Sequence, residues 1–275
     1  MDVQDVGLSS QHQRILDRFL AACQADERIV AAFLVGSNAK GKADEHSDLD
    51  LYLVTTDAAF DDFVATRESF ARLLGEPLFM EDFGHPNILF LIFADGSEVE
   101  IYYTSENQSG GFFNAPYKVL MDKKHSSERI ALSESEVDQA QQTEKLRRLV
   151  YWFWHNFSHF VTALGRDQLW WARGQLEELR AACVGLARLR NNFSDTEVEE
   201  EVYFKIENAM PVEQLAPLRE TFCPMEKEAM LKAAFIILNY YRELAGPLAH
   251  EHGIIYPEKL EQLIVERLDE IGNGN

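Results

Sequence analysis

Residues 34–54 read LVGSNAKGKADEHSDLDLYLV and hold the groups best suited to chemistry. An apolar run ends in Gly36-Ser37. Glycine there lets the backbone turn tightly and approach a ligand closely. The Ser37 hydroxyl and the amides that follow can then point at phosphate oxygens. Lys40 adds a positive charge and Gly41 permits a second bend. Asp48 and Asp50 follow, two residues apart in an alternating pattern, so both carboxylates project from one strand face. Leu49 and Leu51 point the other way and fix the register. Two like charges at this spacing oppose each other's ionisation unless a counter-ion is present. A hard divalent cation with oxygen ligands resolves the conflict, and magnesium suits a few carboxylates, several waters and substrate phosphates.

A third acid should come from a neighbouring strand. The segment DGSEVEIYYT places Glu98 and Glu100 on one face, with Val99 and Ile101 on the other. Glu100 lies mid-strand between apolar residues, as Asp50 does, and is preferred over Glu98 beside the turn.

Elements to position these groups are legible around them. Residues 10–25 have helical apolar spacing through Ile15, Leu16, Phe19, Leu20 and Cys23. Strands are expected at 28–35, 48–54, 77–83, 88–93 and 98–104, with Asp95-Gly96 as a hairpin turn. A helix is expected over 57–74. Residues 105–130 read as loop. From 134 onward the pattern is helical throughout: 134–164, 167–190 with Asp167 as N-cap, 196–209, 212–222, 225–245 and 257–271. The fold class is therefore α+β, with a mixed sheet flanked by helices over residues 1–130 and an all-α bundle over 131–275. A ligand cleft is expected between them.

The Gly36-Ser37-Asn38-Ala39-Lys40-Gly41 stretch, followed after about ten residues by Ser47-Asp48-Leu49-Asp50-Leu51, resembles the signature of the DNA polymerase beta-like nucleotidyltransferase superfamily. The resemblance is to its small-molecule branch, the aminoglycoside and lincosamide nucleotidyltransferases. Their nucleotidyltransferase domain followed by a helical domain agrees with the organisation above. Two departures are Lys40, where many relatives carry Arg and could grip phosphate bidentately, and Glu100, where many carry Asp. The resemblance implies attack of a small-molecule hydroxyl on the α-phosphorus of ATP or another nucleoside triphosphate, with pyrophosphate leaving. It implies two Mg2+ ions held by Asp48, Asp50 and Glu100, and outer phosphates held by Gly36, Ser37, Lys40 and Ser47. Glu100 would serve as ligand, general base or both.

The chain has 275 residues and a formal charge of −20. Such a surface repels polynucleotide phosphate and favours a cationic partner. The small-molecule hydroxyl acceptor that the resemblance implies is aminoglycoside-like and cationic, and nucleic acid is not expected. In the helical half, Trp154, Trp170, Arg173 and Glu177 are candidate substrate contacts, since aromatics and acids suit a cationic sugar-like molecule. His155 and His159 lack a third metal ligand. Cys23, Cys183 and Cys223 are isolated, which argues for small buried hydrophobes in a reducing compartment. No signal peptide and no membrane span is expected, which places the protein in the cytoplasm. A rival from another class is an antitoxin-like or catalytically degenerate module of the same fold acting through a protein partner.

Overall fold

The computed structural model describes residues 8–108, 117–125, 138–195 and 202–273. The chain divides into two compact units, Met1–Glu136 and Val137–Asn275. The boundary expected near residue 130 lies outside the described residues.

The first unit opens with α1 (Ser10–Ala25), capped by the Ser9 side chain, which accepts from the His12 amide. Then come β1 (Ile29–Leu34), the single turn α2 (Gly36–Ala39) and β2 (Leu49–Thr55). The expected helix over 57–74 is broken into short pieces. They are a 3-10 turn at 57–59, α3 (Phe60–Ala65), α4 (Arg67–Ala71) and a 3-10 turn at 72–74. Thr66 interrupts them: its hydroxyl donates to the carbonyls of Asp62 and Phe63, competing with the helical ladder. Next are β3 (Pro77–Glu81), β4 (Ile88–Phe93), β5 (Glu98–Ser105) and β6 (Lys118–Asp122).

The six strands form one mixed sheet in the order β3-β4-β5-β2-β1-β6. Only β2 and β5 run parallel; the other neighbours are antiparallel. One face packs on α1, through Leu49, Leu51, Leu53, Leu89, Leu91, Val99 and Ile101 against Ile15, Leu16 and Phe19. On the other face a smaller cluster gathers Phe33, Val35, Tyr52 and Val54. Strand β6 was not expected, because it is five residues long, sits at the sheet edge and follows a loop-like stretch. Lys123 anchors its end, donating to the carbonyls of Cys23 and Asp26 at 2.8 Å each.

The second unit holds α5 (Gln139–Gly165), α6 (Leu169–Asn191), α7 (Ile206–Ala209), α8 (Val212–Arg219), α9 (Lys227–Glu251) and α10 (Glu258–Gly272). Its core joins Phe153, Trp154 and Phe157 of α5 to Leu176 and Leu179 of α6 and Tyr241 of α9. Asp167 is not the N-cap of α6; Gln168 takes that position without a side-chain cap. Asp167 has φ +55° and its amide bonds the Leu164 carbonyl, so it closes α5 instead. Two buried arginines on α6 tie down irregular segments. Arg180 donates to the hydroxyl and carbonyl of Thr221 at 2.7 and 3.1 Å and pairs with Glu177. Arg188 donates to the Val202 and Phe204 carbonyls and pairs with Asp195 at 2.9 Å. No helix among the described residues is long and apolar enough to cross a membrane.

Candidate active site

The parallel β2–β5 pair sets Asp50 directly opposite Glu100. Both alternate with core-facing neighbours, Leu49 and Leu51 on one strand and Val99 and Ile101 on the other, so their side chains share the face away from α1. The turn after β1 comes to the same place. Gly36 has φ +65°, a conformation that costs a side-chain-bearing residue steric strain. Its open face is filled by Asp50: a β-carbon at position 36 would lie 1.7 Å from Asp50 Oδ2. The Val35 amide donates to the Asp50 carbonyl at 3.0 Å, locking the two strands just short of the turn. Ser37 Oγ is buried and has no hydrogen-bond partner among the described residues. Such an orphan hydroxyl calls for an external partner. Gly41 also takes φ +65°, giving the expected second bend. Lys40 is exposed at the end of α2.

Two stacked tyrosines floor the acids. Tyr52 and Tyr102 lie side by side across β2 and β5, with ring centroids 4.4 Å apart and planes 10° from parallel. The Tyr102 hydroxyl donates to Glu100 Oε2 at 2.6 Å. Burial, and then the neighbouring charges of Asp50 and Glu100, push the Tyr52 phenol up to about 12. Burial and the bond to Glu100 push Tyr102 up as well. Both phenols are therefore neutral donors at ordinary pH.

Asp48 sits differently. It precedes the first residue of β2, so the ladder does not fix it. Its carbonyl accepts from Asn38 Nδ2 at 2.6 Å, and Asn38 is buried in α2. Asp48 lines a cavity of about 380 Å3 with Ser9, His12, Ser47, Asp95 and Glu98. Burial lowers the His12 pKa, opposed by the charges of Asp48 and Asp95. Among the described residues no three His, Cys, Asp or Glu side chains gather closely enough to hold a metal. Of the expected set, the strand ladder aligns Asp50 with Glu100, and Asp48 stands one residue before β2. The pair still fits a divalent cation in kind. Both are hard oxygen donors on rigid strands, beside a glycine cradle and an unpartnered serine hydroxyl.

Ser47 is used by its own turn: its hydroxyl accepts from the Asp44 amide at 2.9 Å and bonds Asp44 Oδ1 at 3.1 Å. Trp154, expected to touch substrate, is wholly buried against Phe153, Phe157 and Tyr241 and is a core residue. The outward aromatics of α5 are instead Tyr151, Trp152 and His155, which line a cavity of about 520 Å3 with Arg147, Arg148 and Glu178. One helical step separates these from Trp154, so the aromatic run did not reveal its own facing. Trp170 is 84% exposed. Glu177 pairs with Arg180 and accepts from the Tyr203 hydroxyl at 2.7 Å, which gives it a structural task. Arg173 is half-buried, with Nη1 unpartnered. Cys23 and Cys183 are buried, while Cys223 is only partly so. Asn38, Tyr52 and Tyr102 were not named as contributors, although strand alternation already sets Tyr52 on the face of Asp50 and Tyr102 on that of Glu100; the strand pairing adds that the two rings stack.

A Gly-Ser turn delivering a glycine against an acid-bearing strand, with a second acid in parallel register, agrees with the nucleotidyltransferase resemblance. The streptomycin adenylyltransferase family model matches residues 10–271, spanning both units. The chain belongs to that family, and so to the small-molecule nucleotidyltransferases. The crystal structure of an aminoglycoside 6-adenyltransferase from Bacillus subtilis aligns over 96% of this chain and 99% of that chain, at 17% identity and a TM-score of 0.46. The structure of a STING-associated CdnE c-di-GMP synthase from Capnocytophaga granulosa aligns over 85% and 80%, at 11% identity and a TM-score of 0.29. No curated protein sequence matches the chain.

Proposed function

We propose that this protein transfers AMP from ATP to a hydroxyl of a cationic, aminoglycoside-like small molecule, with streptomycin the first acceptor to test. The observation that carries the reading is the register of Asp50 with Glu100 beside the Gly36-Ser37 turn, in a chain whose family is named for streptomycin adenylylation. The acceptor oxygen forms a bond to the α-phosphorus as the α–β phosphoanhydride bond breaks, and pyrophosphate leaves. The acceptor's proton passes to a carboxylate, for which Glu100 is the candidate. Its Oε2 is held by the Tyr102 hydroxyl, which orients the group without competing for the proton. The Ser37 hydroxyl and the amides of the turn bind the outer phosphates, with Lys40 adding charge.

Asp50 and Glu100 would hold Mg2+, with Asp48 as a further ligand. Bound there, the ion would neutralise triphosphate charge and lower the pKa of the acceptor hydroxyl. Asp50 also keeps the glycine turn in place by filling its open face.

The test is pyrophosphate release by the full chain with ATP and Mg2+, with and without streptomycin, and mass analysis of the acceptor. A gain of one adenylyl group on streptomycin is the expected result. Release driven only by a protein or RNA acceptor would overturn it.

A further inference from the structure

Two rows of paired residues run across the sheet face away from α1. In one, Asp50 is set opposite Glu100. In the next, Phe33 is set opposite Tyr52, and Tyr52 opposite Tyr102. On each of β2 and β5 the acid and the tyrosine lie two residues apart, so their backbones stand about 6.6 Å apart on one face. The Tyr102 hydroxyl closes that gap on β5, donating to Glu100 Oε2 at 2.6 Å. On β2, Tyr52 is 8% exposed and clusters with the wholly buried Phe33. Its ring lies flat on that of Tyr102. The phenol that touches the acid is thus backed by a ring that the core holds in place.

Glu100 needs such a hold. Like charges set directly opposite each other repel, and Glu100 faces Asp50. Glutamate carries one more side-chain torsion than aspartate, so a carboxylate on that longer arm has more ways to swing away. Hydrogen bonds to an ionised acceptor are strong ones, and this one ties Oε2 to a ring with a fixed position. A carboxylate offers about four acceptor positions on its two oxygens, so one phenol does not use up Glu100 as ligand or base. The bond also depends on the length of the acid. An aspartate at position 100 would end about 1.5 Å nearer the backbone. That would stretch the contact to as much as about 4 Å, beyond hydrogen-bond reach.

We infer that Tyr52 and Tyr102 are positioning residues acting in series on Glu100, and that they commit the site to glutamate at position 100. This rests on the reading above, that the acid pair adenylylates a small molecule. It adds what keeps the phenol in place and why the second acid is the longer one.

The test has two arms. The first reads the bond in the full chain without Mg2+ or ATP. Glu100→Gln should shift the tyrosine band in the ultraviolet difference spectrum. The shift should lose most of its amplitude when the same change is made in Tyr102→Phe, and an undiminished shift would overturn the assignment. The second arm is steady-state adenylylation of streptomycin, with thermal unfolding to check folding. Tyr102→Phe should lower kcat about tenfold, with KM for ATP and for streptomycin within about twofold of wild type. Tyr52→Leu should lower kcat about threefold, and Tyr52→Phe, which keeps the ring, should recover most of that loss. Glu100→Asp should lower kcat at least about tenfold, and adding Tyr102→Phe to it should cost less than about twofold more. The positioning role is wrong if Tyr102→Phe keeps wild-type kcat, if its effect falls on KM alone, or if the two losses multiply. In each of those cases wild type still turns over and the transferase reading stands. If wild type adenylylates neither streptomycin nor another aminoglycoside, that reading fails and takes the positioning role with it.

Discussion

Gly36 and Asp50 are in contact where only a hydrogen leaves room: a methyl group on Gly36 would sit 1.7 Å from Asp50 Oδ2. The Gly36 turn and the Asp50 carboxylate are therefore one mechanical unit. Gly36→Ala should displace the carboxylate and also strain a backbone at φ +65°. Turnover should fall about a hundredfold, the scale expected of a misplacement of about 1 Å. Stability should fall by about 1–2 kcal/mol. Steady-state rates and thermal unfolding measure the two separately.

Asp50→Asn and Glu100→Gln keep volume and remove charge. Each should lower kcat for adenylyl transfer by at least about a hundredfold while the far-ultraviolet spectrum and melting curve stay near wild type. Calorimetric Mg2+ binding in the presence of a non-hydrolysable ATP analogue should weaken in both. A variant that retains wild-type turnover would exclude that residue from the site.

Asn38 links the turn to Asp48 through its bond to the Asp48 carbonyl. Asn38→Leu keeps the size and leaves that carbonyl without its donor, at a cost of about 1–3 kcal/mol. Activity should drop further than stability alone explains, because the lead-in to β2 loses its anchor. Equal losses in Asn38→Leu and in a distant variant of matched stability would show that Asn38 only supports the fold.

The motif, the sheet's inner strands and the all-helical second half were legible because each rests on a short-range rule. Gly36, Asp48-x-Asp50 and the alternation around Glu100 report backbone turns and strand faces within a few residues. What escaped depends on neighbours distant in sequence. Trp154 and Trp152 belong to the same aromatic run, and only packing against Tyr241 decides which is core. Asp48 and Asp50 look equivalent in a strict alternation, yet β2 begins at Leu49 and leaves Asp48 outside the ladder. The stacking of Tyr52 on Tyr102 needs the parallel pairing of strands about fifty residues apart.

The Tyr52 phenol gives a pH prediction. Its folded-state value is pushed up to about 12 by burial, against about 10 for a free phenol. A raised value means that the unfolded chain loses the proton first. The stability Tyr52 contributes is fully present below pH about 10 and is lost as pH rises toward 12. Denaturant unfolding across this range should show a decline that Tyr52→Phe makes shallower. An identical decline in that variant would assign the effect to other groups.

Strand β5 is bonded on one side to β2, which shares the reacting acids, and on the other to the β4 hairpin arm. The acids are thus held by one seam, and the hairpin hangs from the opposite seam at the sheet's margin. Changes near its tip therefore load the β4–β5 seam first and leave Asp50 and Glu100 in register across the other one.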